Sequence, residues 1–313
     1  MIRALRHWVK RGLEIAIVRS GLADRMTQLP SRRRLILAYH NVVDDDLPVW
    51  GERALHIRRS LFQQHLEMLQ SWGQIVPLRN LLEEPDDESE AGPRFALTFD
   101  DAYQGAVDAI RTLLVPRNIP STVFFNPGLL GVDAFWWDVL AERFAGRIPA
   151  TVRNRCLREL RGEQEKVLAW IQAKGWAFDL PTFPDYRPPT EACIEGLSNV
   201  APPVKLSSHT WSHPNLTVLT SRERQGEVAR AQSWLTARGI VDEPILLAYP
   251  YGLATREVQD EMGNYGHRFG LLVEGGHRFQ PKRADGMDFA VPRLSVPAML
   301  TIEGLAVRVA GLQ

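Results

Sequence analysis

Cysteine is nearly absent from this chain: among 313 residues there are two, Cys156 and Cys193. They form no C-x-x-C pair, which argues against a disulfide framework and against a zinc ribbon. A charge excess is also missing, since 37 Lys and Arg balance 37 Asp and Glu. That balance argues against nucleic acid as the main partner, because phosphate backbones are bound by surplus basic residues. Long apolar runs are lacking as well. The N-terminal stretch is cut by Arg3, Arg6, Lys10, Arg11 and Arg19. Neither a secretory signal peptide nor a membrane span is therefore expected, and the expected location is the cytoplasm. No internal repeat is present, and the one low-complexity stretch, residues 83–93, reads as a solvated acidic loop.

Residues 1–34 are the one biased segment, with nine Lys and Arg against Glu14 and Asp24, a net charge of +7. The segment reads as a basic helix packed on the outside of a domain spanning residues 35–313. The sharper alternative is an interfacial helix touching anionic lipid at the inner membrane face.

What the chain does have is a series of short apolar runs, each closed by a polar or turn residue. "RLILAYH" ends at His40, "RFALTFDD" at Asp101, "STVFF" at Phe125, "VKLSSH" at His209 and "PILLAYP" at Pro250. "QIVPL", "FGLLVE" and "AVPRLSV" are of the same kind. Runs of this length, rich in Val, Ile, Leu and aromatics, read as buried strands. Helical spacing separates several of them: Phe62–Trp72, the stretch from Tyr103 to Leu114, and Ser221–Arg238. Strand–helix alternation implies an α/β fold with a mostly parallel sheet, and seven or eight units suggest a closed or nearly closed barrel. Residues 138–200 break the rhythm and read as a helical insertion.

Catalytic groups of such a barrel sit at the C-terminal ends of its strands. Those ends present His40, Asp100 with Asp101, His209, and Pro250 with Tyr251. Along the third run Phe95, Leu97 and Phe99 point one way and Ala96, Thr98 and Asp100 the other, which aims Asp100 inward. Two adjacent carboxylates repel, and a metal ion is one way to hold both ionised; an Asp capping the next helix is the plainer alternative. His209 and His213, four apart, would share a metal if they lie on one helical turn. Pro214 ends that turn at His213. No Glu lies between them, so a catalytic base comes from elsewhere, and Asp100 is available. Two imidazoles and one carboxylate leave open positions, as catalytic metals do. The natural chemistry is hydrolysis of an amide or ester.

"TFDDAY", "SHTWSH" and "AYPYG", in this order, resemble the polysaccharide deacetylases with a NodB-homology domain, carbohydrate esterase family four. "LAYHNV", "FQQHLEMLQSWG", "FWWDVL" and "VPRLSV" are similar to the subgroup that deacetylates exopolysaccharide-type glycans. The resemblance implies a distorted (β/α)7-type, TIM-like barrel. It implies metal binding by Asp101, His209 and His213, with Asp100 as general base and His40 as general acid toward the departing amine. The backbone N–H of Tyr251 would hold the oxyanion, and Arg293 would orient or charge-balance Asp100. The metal expected is Zn2+, with Co2+, Ni2+ or Fe2+ also compatible with the ligand set. The substrate implied is an acetylated amino sugar in a glycan or glycolipid; the oligomeric state is open. The family's usual Gly after the aspartates is Ala102 here, tolerable if it begins the helix and strained if its φ is positive. Of the aromatics, Trp211 is expected at the acetyl pocket wall and the "FWWDVL" cluster mainly in packing. Two other classes share this pattern: a hydrolase of cyclic amides or O-acetyl esters, and a glycan-binding module without turnover.

Overall fold

Among the residues described in this computed structural model (2–28, 34–84, 92–177, 179–200, 204–240, 245–273 and 286–312) the apolar runs form eleven strands. They are β1 (Arg34–Tyr39), β2 (Asn41–Val43), β3 (His56–Arg58), β4 (Gln74–Ile75), β5 (Arg94–Asp100) and β6 (Ser121–Phe125). They continue with β7 (Val204–Ser208), β8 (Ile245–Ala248), β9 (His267–Leu271), β10 (Asp288–Val291) and β11 (Leu294–Ser295). The acidic stretch expected as a loop falls largely on residues 85–91, outside the described residues.

The main sheet runs β10-β9-β8-β7-β6-β5-β1-β11, with β4 added beside the start of β5. Its pairings are parallel. The two ends of that order, β10 and β11, are neighbours in sequence, separated by Pro292 and Arg293 alone. Three peptide steps span at most about 10 Å. The sheet therefore curls until its edges nearly meet, which is the nearly closed barrel the sequence implied. Parallel pairing obliges neighbouring strands to be joined by crossovers, and from β1 to β9 those of the main sheet contain helices.

The helices are α1 (Ile2–Arg19), α2 (Leu22–Gln28), α3 (Arg59–Trp72), α4 (Leu78–Glu83), α5 (Gln104–Ala109) and α6 (Trp136–Arg143). The rest are α7 (Ala150–Arg158), α8 (Gln164–Ala173), α9 (Glu191–Ser198), α10 (Ser221–Ala237), α11 (Arg256–Met262) and α12 (Ile302–Val309). Four of them, α6 to α9, occupy the long excursion between β6 and β7. Helix α1 packs on α12, and none of the described helices is long and apolar enough to cross a membrane.

The in–out alternation of β5 sorts the core. Phe95, Leu97 and Phe99 join the outer cluster with helix residues such as Phe62, Leu66 and Val107. Ala96 joins the inner cluster with Ile36, Phe124, Ala248, Leu271 and Val291 from the other strands. Helix α4 closes the N-terminal end of the barrel by adding Leu78, Leu81 and Leu82 to that inner cluster. Arg34, the first residue of β1, fastens α4 there by donating to the Leu81 and Glu84 carbonyls at 2.7 and 2.5 Å. With that end plugged by α4, the described cavity opens at the C-terminal ends of the strands.

Candidate active site and metal centre

At that open end Asp101, His209 and His213, all buried, bring one ligand atom each to a common point. Asp101 Oδ1 lies 3.3 Å from His213 Nε2 and 3.6 Å from His209 Nε2. The two Nε2 atoms are 3.1 Å apart. Ligand bonds of about 2.1 Å in a tetrahedral site place donor atoms roughly 3.4 Å from one another, so this triangle has the right size to hold a metal. The donor chemistry agrees. His209 Nδ1 donates to the Ala248 carbonyl at 2.8 Å, which leaves Nε2 as a lone pair facing the triangle. Asp101 Oδ1 is buried without a hydrogen-bond donor, a costly condition for a carboxylate that a cation removes.

The local backbone explains how the three meet. Asp101, Ala102, Thr210, His213 and Tyr251 have φ values of 68°, 55°, 69°, 58° and 59°. Left-handed backbone costs a non-glycine residue about 1–2 kcal/mol, and such strain concentrates where a site demands it. The helical turn expected for His209–His213 does not form. Strand β7 ends at Ser208, and left-handed Thr210 and His213 fold the segment into an irregular loop that converges both imidazoles. Pro214 disfavours right-handed α backbone at His213, and Asn126 Nδ2 pins the loop by donating to the His209 and Thr210 carbonyls. Ala102 does not begin α5, which starts at Gln104; its positive φ is the strained alternative.

Asp100 stands apart from the triangle and meets Arg293. Nη1 donates to Oδ1 at 2.7 Å and Nη2 to Oδ2 at 2.6 Å, a bidentate pair. Arg293 is fully buried, and it also donates to Thr98 Oγ1 at 3.1 Å and the Leu272 carbonyl at 2.8 Å. It comes from the two-residue link that joins the sheet's edges. Burial on its own would raise the Asp100 pKa, but the Arg293 charge, the nearby His209 and the guanidinium hydrogen bonds outweigh it and hold the carboxyl below its usual range. Asp101 behaves oppositely: burial, then the charges of Asp100 and Asp138, push it well up. Burial lowers both His209 and His213, and the neighbouring His209 depresses His213 further. Burial thus works against charge on all three ligands, and a bound cation would offset that by favouring the deprotonated carboxylate and neutral imidazoles.

A cavity of about 1070 Å³ opens over this cluster and is lined by His40, Asp100, Asp101, Trp137, His209, His213 and Tyr251, among others. All seven residues expected at the site converge, Arg293 through its pair with Asp100. His40 is half-buried at the end of β1, and burial lowers its pKa to about 4, against the opposing pull of Asp100. The Tyr251 ring packs on His213 at 4.4 Å between centroids, and its hydroxyl donates to the Gly162 carbonyl at 2.9 Å.

Trp211 does not line the cavity; its indole lies against Gly128 with the Arg230 guanidinium 4.3 Å over it. The loop that turns both imidazoles inward turns the residue between them outward. Trp137 takes the wall position instead, with its ring 4.8 Å from that of His213. Sequence reading also missed what holds Trp137. Trp137 Nε1 donates to Tyr103 Oη at 2.7 Å, Tyr103 donates to Asp138 Oδ2 at 2.6 Å, and Asp138 Oδ1 pairs with His56 Nε2 at 3.0 Å. Polar Asp138 inside the aromatic "FWWDVL" run was the available signal, because an acid amid aromatics needs buried partners.

A family model for polysaccharide deacetylases matches residues 198–270, the span of β7 to β9 that includes both histidines. No curated protein matches the chain. Among solved structures, IcaB from Ammonifex degensii superposes with a TM-score of 0.57 at 18% identity, over 89% of this chain and 97% of that one. The de-N-acetylase from Aggregatibacter actinomycetemcomitans gives 0.57 at 16% identity, over 87% and 98%. The Streptococcus pyogenes deacetylase PplD, solved with acetate, gives 0.56 at 16% identity, over 87% and 96%. At such identities the likeness speaks for the fold.

Proposed function

We propose, on the premise that this chain is a polysaccharide deacetylase of the NodB-homology type, that it hydrolyses N-acetyl groups from the amino sugars of a glycan. The observation that carries the reading is the donor triangle of Asp101, His209 and His213 beside the arginine-held Asp100, under one open cavity. A divalent metal, zinc first and cobalt, nickel or iron as alternatives, supplies Lewis acidity toward the acetyl carbonyl and acidifies water when bound there. The residues divide the remaining work. Asp100, kept ionised by Arg293, takes the proton of the attacking water. His40, across the same cavity, returns a proton to the amine nitrogen as the C–N bond breaks. Burial lowers the His40 pKa to about 4, so the proton it returns is the one that Asp100 took from water, passed to His40 before the C–N bond breaks. The Tyr251 N–H donates to the oxygen that becomes negative in the tetrahedral intermediate. Trp137 and the Tyr251 ring wall the acetyl methyl away from solvent.

The test is acetate release from an N-acetylglucosamine oligomer by metal-stripped and metal-restored protein, with an O-acetyl ester and a cyclic ureide alongside. Restoration by metal, acting on the oligomer and lost in Asp100→Asn, is the expected result. Turnover of the ureide alone, or full activity in Asp100→Asn, refutes the reading.

A further inference from the structure

We infer that the cavity carries an anion subsite at Arg53 and Arg147 and that the amino sugar it accepts bears a phosphate group. The inference rests on the deacetylase reading for its sugar and on independent residues for its charge. Three arginines line the cavity: Arg53, Arg147 and Arg153. Arg153 is paired with Glu52 at 2.5 Å. Arg53 and Arg147 line the same cavity with no ion pair or hydrogen bond from either guanidinium among the described residues. Both side chains are exposed at the cavity wall, and an anion entering the cavity would accept forked N–H bonds from guanidiniums that no carboxylate of the described residues already holds.

The lip is built to keep them there. The Arg53 backbone N–H donates to the Gly146 carbonyl at 3.0 Å. The Arg53 stem crosses the face of Gly146 so closely that an added Cβ would lie 2.5 Å from its Cγ. Gly146 also has φ 88°. Any other residue would push the Arg53 stem away, so a glycine next to Arg147 is what lets the two cations share a wall. The Arg53 segment is itself tied to the base of the site, because the Glu52 N–H donates to Asp138 Oδ1 at 2.8 Å. A dianionic phosphate matches two unpaired arginines better than a single carboxylate, which one guanidinium fork already satisfies.

The two charges have two chemical sources, a nucleotide diphosphate sugar or a lipid diphosphate sugar. Exposed Leu253 and Met299 on the same cavity rim, at 38% and 78% exposure, offer an apolar surface that only the second would use.

The experiment compares amine release from methyl N-acetylglucosaminide, N-acetylglucosamine 1-phosphate, UDP-N-acetylglucosamine and a polyprenyl diphosphate N-acetylglucosamine in neutral detergent, using metal-loaded protein. Equilibrium binding of N-acetylglucosamine 1-phosphate is measured in parallel. The phosphorylated sugars are expected to show KM values at least tenfold below that of the methyl glycoside, with the advantage shrinking as salt rises. Arg53→Ala and Arg147→Ala should each reduce that advantage by about tenfold, the scale of one charge-assisted hydrogen bond. Lysine at either position should restore part of it. Equal KM values for neutral and phosphorylated sugars overturn the inference and leave the deacetylase reading standing. Tight phosphate-sugar binding that both alanine variants lose, with no acetate released from any probe, upholds the subsite and overturns the deacetylase reading. Binding unchanged in both variants overturns the subsite whatever the turnover. A preference for the lipid form over the nucleotide form assigns the lipid source, and the reverse assigns the nucleotide.

Discussion

Replacing Arg293 with Met removes the only counter-charge that the described structure bonds to Asp100. The loss comprises two bonds to that carboxylate at 2.7 and 2.6 Å, one to Thr98 at 3.1 Å and one to the Leu272 carbonyl at 2.8 Å. Asp100 is 1% exposed, so water does not take the guanidinium's place. Breaking a buried pair from one side costs about 3–5 kcal/mol, whereas removing both charges together is close to neutral. Asp100→Asn should cost a similar amount by stranding the arginine. The double variant should cost well under either single one, so the coupling should exceed roughly 3 kcal/mol in magnitude. Urea unfolding of the four metal-free proteins at pH 7 measures it. Additive single effects, or an Arg293→Met cost below about 1 kcal/mol, refute the account of a buried pair. A second readout follows from sign. The folded pKa of Asp100 is depressed, so its contribution to stability is present above the unfolded value of about 3.9 and is lost as pH falls through the folded pKa. Without Arg293, burial dominates and raises the Asp100 pKa, so the acid limb of kcat/KM should move to higher pH. Arg293→Lys, which keeps charge without the fork, should fall between. An acid limb that stays in place in Arg293→Met removes Arg293 from the tuning of Asp100.

Three further outcomes follow from the same geometry. Ala102, fully buried at φ 55°, should tolerate Gly within about 1 kcal/mol, because relief of left-handed strain offsets a lost methyl and added chain entropy; Ala102→Val should destabilise by more than about 2 kcal/mol, and thermal unfolding compares them. His40→Ala should lose most turnover of the acetamide yet keep it on p-nitrophenyl acetate, whose leaving group needs no proton; equal losses on both substrates would remove His40 from the protonation step. Metal binding should release about one proton from the Asp101 cluster, so affinity should weaken up to about tenfold per pH unit below the raised Asp101 pKa; calorimetry in buffers of different ionisation enthalpy reads the proton directly, and a pH-independent affinity would contradict the assignment.

Much of this architecture was legible in the sequence for a plain physical reason. A buried parallel strand announces itself by an unbroken apolar run and a polar stop, and the stops are where barrel chemistry lies. The alternation along Phe95–Asp100 sorted inner from outer side chains correctly because the strand period is two. Spacing failed where backbone left the regular regions. An interval of four between histidines reads equally as a helical turn or as a loop with two left-handed residues, and the difference moved Trp211 out of the cavity and left the wall to Trp137. The partners of Asp138 and the Arg53–Arg147 lip were illegible because the residues that meet lie 34 to 94 positions apart, and no local periodicity links them. Arg293 was readable only through resemblance, since nothing near "VPRLSV" reveals that its guanidinium reaches Asp100.

The link that joins β10 to β11 has a consequence for the order in which the protein comes into being. Asp101, His209 and His213 all leave the ribosome well before Arg293. A nascent chain therefore carries all three candidate ligands before Asp100 gains the partner that keeps it charged. The seam between the final two strands is the last part of the candidate site to be made, because Arg293 lies in the link that forms it.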